Sequence, residues 1–299
     1  MQQKNSIRFR IVDFLLILMM IIPVTVLIVV KLLTNVPAEG ISVTGAKIYF
    51  EISMPFQNLL ITESQINSWM VMISITGLCL YLTHGIGVKV KNRRQHLAEW
   101  IVEKTDNLVK GNMGEYFMAF SPFIGAILGL SAFSSLICLF GLYSPTSDIN
   151  VVGGWAILTF ILITYYKSKC GPWVYIKSFG DPVTLLAPLN IISEVATPIS
   201  MAFRHYGNVL SGSVISVLLA AGLQGLSSMV LGWLPGVLGD IPFLQIGIPA
   251  VLSIYFDVFS GCLQAFIFAM LTMLYVSGAF PMEEYFKRKK KKQTKAMSN

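Results

Sequence analysis

The sequence predicts an all-α polytopic membrane protein with about six membrane helices, and two observations carry this prediction. First, 55% of the 299 residues are hydrophobic and only 12% are charged, which is typical of membrane proteins and not of soluble domains. Second, apolar runs recur along the chain at the roughly 20-residue length that a membrane-spanning helix needs. The net charge of +7 does not indicate nucleic-acid binding, because the basic residues cluster in short tracts beside the apolar runs.

The apolar runs define six spans, and the loops between them alternate in charge. Basic residues concentrate before the first span and after the second, fourth and sixth, whereas the remaining loops are acidic or nearly uncharged. Because basic loops stay in the cytoplasm, both termini are predicted to be cytoplasmic. The predicted spans are Ile11–Leu33, Ser68–Val88, Phe117–Leu142, Val151–Tyr166, Leu185–Trp233 and Ile248–Phe280.

The first span has an alternative interpretation. A basic start, an apolar run and the sequence Val36-Pro-Ala38 also fit a cleaved signal peptide. The run is long for a signal peptide and contains Pro23, so we expect a retained helix. Between the second and third spans, Lys91–Lys110 mixes charged residues with an apolar stripe. This pattern is typical of an amphipathic helix at the cytoplasmic interface.

The last two spans are too long for upright helices. As one straight helix, Leu185–Trp233 would run about 70 Å, more than twice a hydrocarbon core of about 30 Å. It must therefore tilt, bend or break, and Pro188, Pro198 and the Gly222/Gly225 pair are available bending points. With Ile248–Phe280 it is predicted to form a long tilted C-terminal helix hairpin that lies along a curved partner.

These elements divide the chain into five segments. The division is a membrane helix and external loop at 1–67, a membrane helix plus the interfacial helix at 68–116, a helix pair and cytoplasmic loop at 117–184, the tilted hairpin at 185–286, and a basic cytoplasmic tail at 287–299.

One charge lies deep in an apolar segment. Arg204 is the only arginine between Lys177 and Lys287, and no lysine accompanies it there. A guanidinium keeps its proton at any ordinary pH, and a charge at mid-bilayer costs roughly 2.5–3.5 kcal/mol. A chain keeps such a group where it faces a cavity or an opposite charge. We therefore interpret Arg204 as the functional centre.

Polar residues accompany Arg204 at helical spacing. On one helix, Ser200, Asn208 and Ser211 share the face of Arg204. Glu194 precedes the arginine by ten residues, which places it about 15 Å nearer the cytoplasmic end. The face therefore combines a fixed cation with a carboxylate on its inner side.

Further polar residues lie on the outer side and in the last span. Ser213 follows Arg204 toward the outer surface. Asp257 and Gln264 are seven residues apart, so an α-helix places them on one face, with Gln264 level with Arg204. An ionisable residue in an apolar span is presumed functional. This set predicts a carboxylate toward each surface of the membrane with a cation between them.

Taken singly, several of these residues have simpler roles. Asn208 and Gln264 fit interhelical hydrogen bonding, and Glu194 fits an interfacial position without a role. His205 is adjacent to Arg204 and points elsewhere, so we expect packing or an aromatic-edge contact rather than proton transfer. The functional interpretation rests on the whole set.

Four motifs in these segments resemble the signature of subunit a of rotary F-type ATP synthases. They cover roughly Ser68 to Phe280 in the family's order. The chain departs from the family at His205, where leucine is usual, and at Ser213, where a carboxylate or histidine is frequent. Near Asp257 some members carry histidine. The motifs are Pro198-Ile-Ser200-Met-Ala-Phe-Arg204-His-Tyr-Gly207-Asn208-Val-Leu-Ser-Gly212, Gln264-Ala-Phe-Ile-Phe-Ala-Met-Leu-Thr272-Met-Leu-Tyr275, Pro145-Thr-Ser-Asp148-Ile-Asn150 and Pro188-Leu-Asn190-Ile-Ile-Ser-Glu194.

The resemblance implies an ion-translocating stator subunit in a bacterial plasma membrane, with the helix hairpin packed against a ring of c subunits. Arg204 would face the ring, with Ser200 and Asn208 on the same face, and would separate two half-channels. The implied partners are the c-ring, the peripheral-stalk b subunits, the F1 sector and membrane lipid, without a cofactor or metal. The implied outer path contains Asp257, Ser213, Asp148 and Gln264, and the inner path contains Glu194, Ser193 and Asn190.

Other classes of membrane protein predict other features. A secondary transporter that binds an anionic substrate at Arg204 predicts internal repeats, and the two halves show none. An intramembrane protease predicts a GxSxG or HExxH motif, which the sequence lacks. A scaffold without transport activity predicts that the buried charges are dispensable. The coupling ion, a proton or sodium, stays open at this point.

Overall fold

The structure is a computed structural model that describes residues 2–34, 45–55, 57–87, 92–169, 171–180, 184–231, 247–282 and 285–287. The possible cleavage sequence at 36–38, the turn at 234–242 and the basic tail from 288 onward lie outside the described residues. The helices are α1 (Gln2–Thr34), α2 (Glu63–Thr83), α3 (Arg93–Met113), α4 (Ser121–Leu136), α5 (Ile149–Ser168), α6 (Pro172–Ser178), α7 (Ala187–Leu231), α8 (Ile248–Ser253) and α9 (Gly261–Ala279).

Six helical segments in the described ranges are long and apolar enough to cross a membrane, as predicted. They are Phe9–Thr34, Glu63–Thr83, Glu115–Phe140, Ile149–Ser168, Ala187–Val230 and Ile254–Ala279. The second span begins and ends about one helical turn earlier than its apolar run suggests. The protein is therefore an all-α polytopic membrane protein, and α3 forms where the interfacial helix was expected.

The bundle has two ends, named here after the elements that lie there. The α3 end carries α3 and α6. The hairpin end is named after a β-hairpin, not after the predicted helix hairpin. It carries a short antiparallel pair of strands, β1 (Ile48–Ile52) and β2 (Leu59–Thr62), and a 3₁₀ turn at Pro145–Ser147. β2 leads directly into α2, which runs from the hairpin end to the α3 end. This exposed hairpin was not anticipated from the sequence.

The largest buried cluster lies where α3, α4, α5 and α9 meet toward the α3 end. It includes Val109 from α3, Ile124 from α4, Ile163 from α5 and Met273 from α9, with Phe117 filling the space between them. Packing by large apolar side chains fixes these helices relative to one another. They form the frame against which the longer α7 is placed.

The first helix packs along α2. Leu27 of α1 and Val71 of α2 are buried together, and a Cβ at Gly77 would lie 3.1 Å from the backbone nitrogen of Met20. Near the α3 end, the Asp13 carboxylate forms an ion pair with Arg94 of α3, with Oδ1 3.1 Å from Nη1, and contacts His84. The Asp13 carboxylate raises the pKa of Arg94 above its ordinary value, because it favours the charged guanidinium. These contacts join α1 to the rest of the bundle, and its retention after synthesis stays a prediction.

The seventh helix is one continuous α-helix of 45 residues that includes Pro198. The sequence left tilting, bending and breaking open for this segment. The continuous helix from Ala187 to Leu231 excludes a break within that range. At 1.5 Å per residue, α7 exceeds twice a hydrocarbon thickness of about 30 Å, so it must tilt or bend to stay within a membrane. Its neighbour is less regular, because a π-helical stretch at Ile254–Ser260 joins α8 to α9.

Candidate functional site

Two opposite faces of α7 differ in burial around Arg204. Met201, Ala202 and His205 are buried against the bundle, whereas Ser200 and Arg204 are exposed. Within the part of the chain that the structure describes, the guanidinium makes no hydrogen bond or ion pair. A permanent cation at the middle of a membrane helix therefore points out of this chain. A chain keeps such a group where it faces a water-filled cavity or an opposite charge, and the described residues supply no such charge at Arg204.

Asn208 connects the α7 face to the π-helical stretch. Its Nδ2 donates to Ser260 Oγ at 2.8 Å. One turn beyond Asn208, a Cβ on Gly212 would lie 3.3 Å from Phe256 Cβ, so glycine allows the two helices to approach closely here. One turn after Ser260, Gln264 is buried on α9. Asn208 therefore contacts the last membrane segment through the hydroxyl of Ser260.

Asp257 lies inside the π-helical stretch and is partly exposed. The expectation that Asp257 and Gln264 share a face rested on α-helical spacing. A π-helix has more residues per turn, so seven residues no longer return to the same direction. The structure therefore removes the premise of that shared face. π-Helical turns often occur at functional sites because they re-aim side chains within a helix.

Asp148 caps α5 at the hairpin end. Its Oδ1 accepts from the backbone N–H of Asn150 at 2.9 Å, and its Oδ2 accepts from the buried Ser64 hydroxyl of α2. An N-terminal aspartate also opposes the positive end of the helix dipole. Asp148 therefore has a structural role that is independent of any ion path.

Glu194 is held at the α3 end by two side chains that the sequence analysis missed. Lys167 Nζ of α5 donates to Glu194 Oε2 at 2.7 Å, and the Tyr175 hydroxyl of α6 donates to Oε1 at 3.0 Å. Burial, followed by the bond to Glu194, raises the pKa of the Tyr175 hydroxyl, which keeps it a donor. From the sequence, a lysine that follows a span indicates topology. No local sequence feature indicates that Lys167 pairs with Glu194.

Two further candidates, Asn190 and Ser213, make hydrogen bonds to carbonyl groups close to them in the sequence. Asn190 Nδ2 donates to the carbonyl of Phe179 at 2.8 Å. Ser213 is exposed, and its hydroxyl donates to the carbonyl of Leu210 in its own helix. An apolar cavity of about 360 Å³ between α5 and α7, lined by Ala156, Pro198 and Phe203 among others, offers no polar wall for an ion.

His205 is fully buried and packs among aromatic rings. Its imidazole meets Trp155 of α5 and Phe268 of α9 edge-to-face, at centroid distances of 5.9 and 5.7 Å. The expected aromatic-edge packing is therefore confirmed. The ring also has a polar contact, because its Nε2 lies 3.4 Å from Ser131 Oγ of α4.

Fold and site together define a multi-pass membrane protein whose longest described helix carries, near its middle, a cation without a partner among the described residues. A family model described as ATP synthase A chain matches residues 65–277, more than half of the chain. The chain belongs to this family. It is an ion-translocating membrane subunit of the Fo sector of ATP synthase rather than a catalytic subunit.

Curated relatives agree with this assignment. The chain is 32% identical to ATP synthase subunit a of Bacillus pumilus over 222 residues, which cover 69% of this chain and 89% of the relative. It is 29% identical over 244 residues to a protein of Propionigenium modestum named ATP synthase subunit a, sodium ion specific, covering 75% and 76%. With the protein of Legionella pneumophila strain Philadelphia 1 it shares 27% identity, covering 75% and 89%.

Proposed function

We propose that this subunit provides two half-channels that load and unload the carboxylates of a rotating c-ring, and that Arg204 separates them. The observation that carries the proposal is the exposed guanidinium of Arg204, which has no hydrogen-bond or ion-pair partner among the described residues. A ring carboxylate is the anionic partner that such a group needs, and membership of the ATP synthase complex supplies the ring.

The chemistry of the exchange follows from charge. A carboxylate that faces lipid is neutral, carrying a proton or sodium, because desolvation disfavours the charged form. When it reaches Arg204, the permanent cation favours the ionised form and the ion leaves. A fixed charge at this position also blocks direct flow between the half-channels. Ions must then travel with the ring, which couples their flow to ATP synthesis.

We assign the two routes from the contacts at the two ends. Glu194 and Asn190, with Ser193, mark the inner route at the α3 end. Asp257 and Asp148, with Ser213 and Gln264, mark the outer route at the hairpin end. Asn208 and Ser200 share the face of Arg204 on α7 and line the contact with the ring.

Orientation and partners complete the proposal. The α3 end faces the cytoplasm of a bacterial cell, since basic loops concentrate there. The c-ring contacts the exposed face of α7, while the peripheral-stalk b subunits and the F1 sector hold the subunit within the complex. A driving force of about 150 mV supplies roughly 3.5 kcal/mol per ion, so several ions must pass for each ATP.

The test is Arg204→Ala in the complete complex in inverted vesicles. We expect loss of ATP-driven ion pumping together with a passive ion leak. The matched control is Arg93→Ala, because Arg93 is an exposed arginine of α3. Coupled pumping that survives Arg204→Ala would overturn the proposal.

A further inference from the structure

Packing alone does not account for His205. The imidazole lies at 0% exposure, and its Nδ1 is buried without a hydrogen-bond partner among the described residues. A leucine or phenylalanine would fill the space between Trp155 and Phe268 without burying polar atoms. An unsatisfied buried donor or acceptor costs about 1–3 kcal/mol. Such a cost in a well-packed bundle indicates a role for the ring nitrogens.

A series of buried hydroxyls leads from His205 to the hairpin end, and we name it the hydroxyl column. Its members are at most 2% exposed. Ser144 Oγ lies 2.7 Å from Thr146 Oγ1 and donates to the carbonyl of Ser134 at 2.8 Å. Ser131, which precedes Ser134 by three residues on α4, places its Oγ 3.4 Å from His205 Nε2. The hydroxyl column consists of Thr146, Ser144, Ser134 and Ser131.

The column is more than a set of small residues that permit close packing. Ser134 Oγ is buried and, like His205 Nδ1, has no hydrogen-bond partner in the described ranges. Buried polar atoms are normally paired with protein or with water. Ser134 Oγ and His205 Nδ1 are two buried polar atoms without a described partner at the same row of polar side chains. We take this as a sign that water enters the hydroxyl column.

We propose that the hydroxyl column forms the inner stretch of the outer route and carries protons, and that His205 is the proton-relay residue at its inner end. This inference rests on the proposed function and specifies its coupling ion as the proton. The neutral imidazole accepts a proton on one ring nitrogen and releases the proton from the other, so its charge is the same before and after transfer. The released proton passes on to the ring carboxylate.

The surroundings of the imidazole suit this role. The described groups that contact it are uncharged: Ser131 from α4, Trp155 from α5 and Phe268 from α9. Arg204, the neighbour in sequence, is exposed on another face of α7. Asn208 lies three residues beyond His205, on the adjoining face, and gives the proton a polar exit toward the ring side. A hard cation such as sodium prefers oxygen ligands, and an imidazole nitrogen serves protons better.

The test measures ATP-driven proton uptake by the complete complex in liposomes, with His205→Leu, His205→Gln and Ser134→Ala. Leucine keeps the apolar packing and glutamine keeps hydrogen bonding, but neither exchanges protons. We expect each His205 variant to lose at least tenfold in rate, and Ser134→Ala to lose severalfold. His96→Gln and Ser228→Ala, at exposed positions of α3 and α7, should match the unchanged protein.

The outcomes separate this inference from the proposed function. A full rate in His205→Gln would reduce the histidine to a hydrogen-bonding group and overturn the relay. Sodium-dependent uptake in the unchanged protein would overturn it as well. If a His205 variant fails to assemble, Ser134→Ala is the deciding variant, since it removes one oxygen atom and leaves the packing intact. An unchanged rate of proton uptake in Ser134→Ala would overturn the role of the hydroxyl column as a proton path. Coupled pumping in Arg204→Ala would instead overturn the proposed function.

Discussion

Lys167 Nζ lies 2.7 Å from Glu194 Oε2 and joins α5 to α7 at the α3 end. The glutamate side chain is only 10% exposed and the lysine side chain 25%. Lys167 also lies 4.7 Å above the ring of Phe179. The proposed inner route therefore contains an ion pair rather than an isolated carboxylate, so a transported ion meets a neutralised charge there.

Replacing Lys167 with methionine should slow ion transport and destabilise the subunit. The change leaves the carboxylate of Glu194 in a partly buried site without its cation, at a cost of about 2 kcal/mol, below the 3–5 kcal/mol of a fully buried pair. Transport in vesicles and thermal unfolding in detergent measure the two effects. Lys177→Met is the control, because Lys177 is exposed in α6.

Glu194→Gln should slow transport without uncoupling it, because Arg204 remains in place. The loss of stability predicted for Lys167→Met comes from the unpaired carboxylate of Glu194. The double variant Lys167→Met with Glu194→Gln should therefore be more stable than Lys167→Met alone. A double-mutant cycle on unfolding measures this coupling. An unchanged transport rate in Glu194→Gln would remove the glutamate from the inner route.

Ser260→Ala should slow transport about threefold. Its hydroxyl accepts from Asn208 Nδ2 and holds that amide against the π-helical stretch. Interhelical hydrogen bonds in membranes contribute about 0.6 kcal/mol on average, which sets the expected size. Ser277→Ala is the control, since the Ser277 hydroxyl donates to the carbonyl of Leu274 in its own helix and to no other described residue. Equal rates in the two variants would contradict a role for the Asn208–Ser260 contact.

The spans and the central charge were predictable from the sequence because both depend on local composition. An apolar run of sufficient length must be helical in lipid, since every backbone polar group needs an internal partner. The same penalty makes a lone arginine conspicuous. Arg204 and the six spans therefore required no knowledge of how the helices pack.

Contacts between helices were not predictable in the same way. The partners Lys167 and Glu194 are 27 residues apart and meet only because α5 and α7 adjoin at the α3 end. The π-helical stretch around Asp257 also leaves no periodic signal in a helix that is mostly apolar on every side. The hydroxyl column escaped notice because serines scattered over α4 and the following turn look like ordinary small residues.

Two substitutions of Asp148 distinguish its role as a helix cap from a role in the ion path. Asparagine also caps helices but has no charge, whereas alanine removes both functions. Asp148→Ala should lower stability by about 0.5–2 kcal/mol, as for a lost N-cap. If Asp148 serves the outer route, Asp148→Asn slows transport while thermal stability in detergent is kept. A normal transport rate in Asp148→Asn would leave only the cap.

Gly261→Ala should disturb the packing of α9 on α4, the helix that carries Ser131 and Ser134 of the hydroxyl column. A Cβ at this position would lie 2.6 Å from Ser135 Cβ, closer than two carbon atoms can approach. Overpacking of this kind costs about 1–3 kcal/mol, which thermal unfolding in detergent measures. Gly278→Ala is the matched control in the same helix, because a Cβ there meets nothing within 4 Å. Alanine favours helix by up to about 1 kcal/mol over glycine, so the control should be neutral or stabilised. Equal melting temperatures in the two variants would show that α4 and α9 do not require a glycine at their closest approach.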